Sequence, residues 1–133
     1  MEQEFFQQRT DLSALQEALE KVYSTTSQVM VGQQRMIELM IAGILADGHL
    51  LLEGVPGVAK TLAAKLMAKM IDADFSRIQF TPDLMPSDVL GTSVFNPGAA
   101  GFQFKAGPLF SNIVLIDEIN RAPAKTQSAL FEV

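Results

Sequence analysis

A chain of 133 residues, 48% hydrophobic and 19% charged, has the size and composition of one globular domain at most. Its net charge of −5 and pI near 4.7 argue against whole-chain attraction to nucleic acid or to an anionic membrane, leaving only local basic sites for such contacts. With no cysteine it has neither a disulfide framework nor a thiolate metal site, which fits a cytoplasmic location.

The opening "MEQEFFQQRTD" lacks the basic flank and apolar core of a signal peptide. In "TDLSALQEALEKVY", Leu12, Leu15, Leu19, Val22 and Tyr23 fall on one helical face, with Asp11 or Ser13 available as N-cap. "TTSQVMVGQ" reads as a loop, because Gly32 and the hydroxyl residues interrupt the period. Ile37, Met40, Ile41, Ile44 and Leu45 then mark a second amphipathic helix, ended by Gly48. This apolar stretch is broken by Glu38 and Asp47 and is shorter than the ~20 residues of a membrane span, so the chain reads as soluble.

"HLLLE", His49 to Glu53, has the look of a buried parallel strand, with His49 a structural residue at its start. After a Gly-Pro-Gly turn, Leu62, Leu66, Met67, Met70 and Ile71 predict a third helix. The methionines Met36, Met40, Met67 and Met70 recur at helical spacing as core filler. "FSRIQF" alternates at period two and predicts a strand over Phe75 to Phe80. The Pro-rich "TPDLMPSDVLG" predicts a loop with a short helical turn, in which Asp83 and Asp88 have no metal-ligand logic. Two short strands, Ser93 to Phe95 and Phe102 to Phe104, flank an Asn-Pro-Gly turn. "NIVLID", Asn112 to Asp117, predicts another buried strand, and "PAKTQSALFEV" opens a helix that has no cap. Strands alternating with helices argue for a parallel α/β sheet.

The stretch "GVPGVAKT" leaves a predicted strand and opens a predicted helix, the setting of a phosphate-binding loop. Glycines let backbone N–H groups converge on an anion, and the helix adds its positive end. Lys60 can set its ammonium against the outer phosphates, and the Thr61 hydroxyl can ligate Mg²⁺. Ala59 stands where the common pattern has a second glycine; its methyl is tolerable at negative φ, as at a helix start. The plain alternative is a strand–helix connector with Lys60 solvated. "NIVLIDEINR" supplies a second motif, with Asp117-Glu118 at the carboxyl end of a strand, the edge at which parallel sheets bind ligands. Asp117 can hold Mg²⁺, and Glu118 can polarise a water for attack on a γ-phosphate. A solvated acidic pair is the plain alternative there. Both motifs in this order favour nucleotide binding.

Together "MVGQQ", "LLEGVPGVAKT", "RIQFTPDLMPSDVLG" and "FKAGPLFSNIVLIDEINRAPAKTQSALFE" resemble the MoxR family of AAA+ ATPases from about Ser24 to the last residue, including the alanine before the lysine. The resemblance implies an α/β P-loop NTPase fold, a three-layer αβα parallel sheet incomplete in this chain and carrying a β-hairpin insert. It implies that residues 1–23 form an N-terminal helix and 24–133 a partial core, with the lid domain absent. By resemblance, the nucleotide-binding loop is Gly54, Val55, Pro56, Gly57, Val58, Ala59, Lys60, Thr61 and Leu62, and Val31, Gly32 and Gln33 line the adenine side. Lys60 and Glu118 take the catalytic roles, and Thr61 and Asp117 hold the metal. The implied cofactors are ATP and Mg²⁺.

The resemblance further implies an ATP-hydrolysing, chaperone-like factor that remodels or matures partner complexes. It would form a homo-oligomeric ring, hexameric at full length, with clients and a partner carrying a von Willebrand factor A domain. The hairpin would face the ring centre; packing of Phe95, Phe102 and Phe104 on the domain is the alternative. Thr81 would restrain Glu118, and Asn120 and Arg121 would support contacts to a neighbour or substrate. The sensor strand, arginine finger and lid would come later than Val133, so this stretch alone is expected to hydrolyse ATP poorly and to fold marginally. A small kinase is disfavoured by the adjacent Asp-Glu pair. A nucleotide-binding switch without turnover and a related ring ATPase acting on DNA are the other readings; the acidic balance and the lack of a Lys/Arg stripe weigh against the latter.

Overall fold

A computed structural model describes residues 11–54 and 59–131. The chain divides into two compact units, Met1–Ala63 and Ala64–Val133.

In the first unit, α1 (Ser13–Val29) contacts α2 (Gln34–Leu45). The Asp11 carboxylate accepts from the Ser13 N–H at 3.0 Å, which holds the Asp11 carboxyl below the usual carboxylate range. The helix runs six residues past Tyr23, through the part of "TTSQVMVGQ" expected to be loop. The reason is local. Thr26 donates its hydroxyl to the Val22 and Tyr23 carbonyls at 2.7 and 3.1 Å, and Ser24 donates to the Lys21 carbonyl at 3.0 Å. Hydroxyls satisfied by the preceding turn cease to compete with the helix. Thr26 is therefore buried next to Val22, whereas Leu12 and Leu15, expected on the buried face, are exposed. Ile37, Met40 and Ile41 form the buried stripe of α2.

The residue that ends α2 is Asp47 (φ 51°), not Gly48. The Asp47 N–H donates to the Ile44 carbonyl and the Gly48 N–H to the Gly43 carbonyl, so the exposed last carbonyls find partners. α3 (Lys60–Met70) ends the same way: Asp72 (φ 53°) donates to Lys69, and Ala73 to Ala68. Ala63, Ala64, Met67 and Ala68 are its buried positions.

His49–Glu53 is irregular, which corrects the strand expected there. A strand exists through its ladder bonds, and the sheets formed by the described residues do not include this segment. Leu50 instead lays its side chain on the bare Cα of Gly43, and Leu51 is 82% exposed.

In the second unit, β1 (Phe75–Gln79) and β4 (Ile113–Asp117) pair in parallel, Phe75 opposite Ile113 and Gln79 opposite Asp117. The expected strands are thus trimmed by one residue, at Phe80 and at Asn112. Alternation sends Ile78, Val114 and Ile116 to one face, where they pack with Phe80, Val89, Leu84, Leu109, Ala122 and Leu130. Phe80 is fully buried, contributing about 2 kcal/mol. α4 (Pro86–Leu90) is the expected short helical turn, capped by Asp88, whose carboxylate accepts from the Met85 N–H at 2.9 Å. α5 (Ala124–Leu130) is fixed by buried Thr126, which donates to the Leu84 carbonyl at 2.7 Å.

The expected hairpin is present and longer than predicted: β2 (Gly91–Asn96) pairs antiparallel with β3 (Gly101–Ala106). At its base two glycines meet. Gly91 has φ +102°, and a Cβ there would lie 2.2 Å from the Lys105 carbonyl oxygen; one on Gly107 would lie 2.2 Å from that of Val89.

Two outcomes are expected in chemical denaturation. Asp47→Gly and Asp72→Gly should each stabilise by about 0.5–1 kcal/mol, by relieving left-handed backbone and removing a negative charge from a helix carboxyl end. Gly91→Ala should destabilise by at least ~2 kcal/mol, since backbone rather than a flexible side chain blocks the methyl.

Candidate functional site

Each unit carries one part of the expected site. In the first, Lys60 opens α3, and the Ala59 carbonyl accepts from the Ala63 N–H at 2.9 Å, so Ala59 stands at the helix start. The Lys60 ammonium folds back six residues and donates to the Gly54 carbonyl at 3.0 Å. A cation at a helix amino end faces an unfavourable dipole, and the Gly54 carbonyl offsets it. Val55, Pro56, Gly57 and Val58 lie outside the described residues. Thr61 is half-buried on the first turn of α3, and Leu62 is exposed.

Val31, Gly32 and Gln33 connect α1 to α2. Gly32 has φ +77° with open space around it, so the backbone turn, not crowding, calls for glycine. Val31 is 86% exposed, and Gln33 is the residue before α2.

In the second unit, Asp117 is the last residue of β4 and Glu118 begins the 3₁₀ turn Ile119–Arg121. Asp117 is not free: the Arg77 Nε donates to its Oδ2 at 2.7 Å, while the Arg77 guanidinium also reaches the Gln79 Oε1 at 3.3 Å. Glu118 has φ 55° and ψ 44°, a left-handed conformation, and its carboxylate pairs with Arg121. A hydrogen bond from the Thr81 side chain holds the Asp83 carboxyl below the usual carboxylate range. Arg121 is accordingly engaged within its own turn, and Asn120 is exposed.

The donors suit a hard cation. A hydroxyl and a carboxylate are the oxygen ligands Mg²⁺ takes beside substrate phosphates, without a dedicated protein cage. No cluster of three or more His, Cys, Asp or Glu able to hold a metal occurs among the described residues. Sequence reasoning missed Arg77. The signal was the odd position it shares with Gln79 in a strand whose neighbour ends in Asp117.

Comparison with known proteins agrees with the motifs. Residues 49–133 match the model of the ATPase family associated with various cellular activities (AAA). The chain is 51% identical over 122 residues to the chaperone MoxR1 of Mycobacterium tuberculosis, covering 92% of this chain and 32% of that protein. It is 29% identical over 112 residues to the protein MoxR of Methylorubrum extorquens, covering 80% and 32%. A solved chain from Cytophaga hutchinsonii, described as a candidate ATPase, superposes with a TM-score of 0.76 at 52% identity, covering 87% of this chain and 35% of that one. The chain thus spans about a third of the length of the curated relatives it matches. Its α/β fold is that of the AAA+ P-loop ATPases. By family model, relatives and fold together, the chain belongs to the MoxR family of AAA+ ATPases.

Proposed function

We propose that this chain is the nucleotide-binding part of a Mg²⁺-dependent enzyme that hydrolyses ATP and uses the cycle to remodel protein complexes as a chaperone. The observation that carries hydrolysis, beyond binding, is Glu118. It sits beside Asp117 in a left-handed backbone that costs a non-glycine residue roughly 1–2 kcal/mol, with its carboxylate exposed at the strand end. In this reading the loop from Gly54 to Leu62 holds the phosphates, with Lys60 exchanging the Gly54 carbonyl for a phosphate oxygen. Thr61 and Asp117 hold the cation, which neutralises phosphate charge when bound. Val31, Gly32 and Gln33 border the adenine, exposed Val31 offering it an apolar surface. Glu118 leaves Arg121 to accept a proton from the attacking water.

The chaperone role draws on the name of the Mycobacterium tuberculosis relative. A homo-oligomeric, hexameric ring in the cytoplasm, and a von Willebrand factor A partner, belong to the same proposal. No helix among the described residues is long and apolar enough to cross a membrane. The hairpin favours client contact: Phe95, Phe102 and Phe104 share one face, all more than half exposed, rather than packing into the unit's core.

The full-length protein tests this. Calorimetry should show magnesium-linked ATP uptake that Lys60→Ala abolishes or weakens at least ~10-fold. Glu118→Gln should keep uptake and lose turnover by about 10²–10⁴-fold; a wild type that takes up ATP and shows no turnover would leave a nucleotide switch, and unchanged turnover in Glu118→Gln would remove Glu118 from the chemistry. Glu118→Gly should be more stable than wild type by roughly 1 kcal/mol in a denaturant melt, and as inactive as Glu118→Gln.

A further inference from the structure

Arg77 has no part in the site as the motifs define it, yet it holds the carboxylate on which the cation depends. The parallel register places Arg77 opposite Leu115 and Gln79 opposite Asp117, so Arg77, Gln79 and Asp117 share the sheet face turned away from the apolar core. From there the guanidinium reaches diagonally to Asp117 Oδ2, at 2.7 Å, and touches Gln79 Oε1, at 3.3 Å. The Arg77 side chain is 49% exposed and that of Asp117 25%, a setting in which an ion pair adds little to stability. What it does change is the charge of the site. A guanidinium stays charged at any working pH, and it repels a dication approaching the same carboxylate.

We propose that Arg77 is a positioning and counter-charge residue for Asp117: it fixes the carboxylate's orientation and neutralises it, so that a divalent cation is held only when nucleotide phosphates add their negative charge. The inference rests on the nucleotide-binding reading above. It makes cation uptake conditional on nucleotide, and it predicts opposite effects of charge and of shape. Removing the charge should raise the affinity for a bare dication; keeping it, with a different head group, should not.

The test uses full-length protein and Mn²⁺ alone, followed by the electron paramagnetic resonance of free ion, with no nucleotide and no turnover required. Wild type should bind Mn²⁺ weakly. Arg77→Gln and Arg77→Met, one polar and one retaining the apolar stem, should each bind it roughly 5- to 50-fold more tightly. Arg77→Lys should stay near wild type, and adding Asp117→Asn to Arg77→Gln should erase the gain. Unchanged or weaker Mn²⁺ binding in both uncharged variants would overturn the proposal, as would equal gains in Arg77→Lys. Calorimetry of wild type with magnesium and ATP separates the two levels. Uptake there with no Arg77 effect sinks this inference alone, while no uptake sinks the nucleotide site itself.

Discussion

The parallel pairing of β1 with β4 decides most of what the second unit can do, because register converts a sequence into two faces and an edge. With Gln79 opposite Asp117, the odd positions of both strands look one way and the even positions the other. The even positions, Ile78, Val114 and Ile116, are drawn into the core with Phe80 and Val89. Burial of that face fixes the pairing, since a slip of one residue would turn Arg77 and Gln79 into the core and Ile78 out of it. The acidic pair then stands at the strand's carboxyl end, with a cation already beside it. Core packing and site electrostatics are consequences of the same ladder.

Local chemistry was legible in the sequence, and pairing was not. Lys60 and Thr61 are recognisable because the loop, the helix start and the lysine lie within a few residues, and the helix begins at Lys60 as the motif requires. The hairpin was legible because turn residues and alternating phenylalanines sit close together; Asn96 Oδ1 accepts from the Gly98 N–H at 2.9 Å and shapes the turn. "HLLLE" misled because an apolar run announces burial without naming the neighbour that would bond its backbone. The ending of α1 misled because Thr26 was counted as a helix breaker, when its hydroxyl had a carbonyl one turn back. Arg77 went unseen because its partner lies forty residues on, and hydropathy records only that it is polar.

The hairpin shows how a small element can be stable without burying its side chains. Phe95 stacks edge-on against Phe102 with ring centroids 5.4 Å apart, and Phe104 against Phe110 at 6.0 Å. Such pairs contribute about 0.5–1.5 kcal/mol each beyond burial, enough to hold a two-stranded ribbon that ladder bonds alone leave marginal. The opposite face is mostly polar, with Thr92, Lys105 and Gln103 around Val94 and with Asn96 donating to Gln103 at 3.0 Å. The glycine pair at the base brings the strands close where they join the unit.

Backbone strain sorts the acidic residues by role. Four described residues other than glycine have positive φ: Asp47, Asp72, Ala100 and Glu118. Asp47 and Asp72 follow α2 and α3, where the left-handed turn hands two amides back to the last carbonyls, so the cost is offset by hydrogen bonds. Ala100 closes the hairpin loop, where one such residue before β3 matches the strand twist. Glu118 has no equivalent return. The turn it opens is three residues long, and its amide-side gain is one 2.9 Å bond from the Arg121 N–H to its carbonyl, which a glycine would accept equally well. What the glycine would lack is the carboxylate. Under the proposed function, a glutamate in this conformation, next to Asp117 and paired with Arg121, is explained by the water its side chain would activate and not by what its backbone holds together.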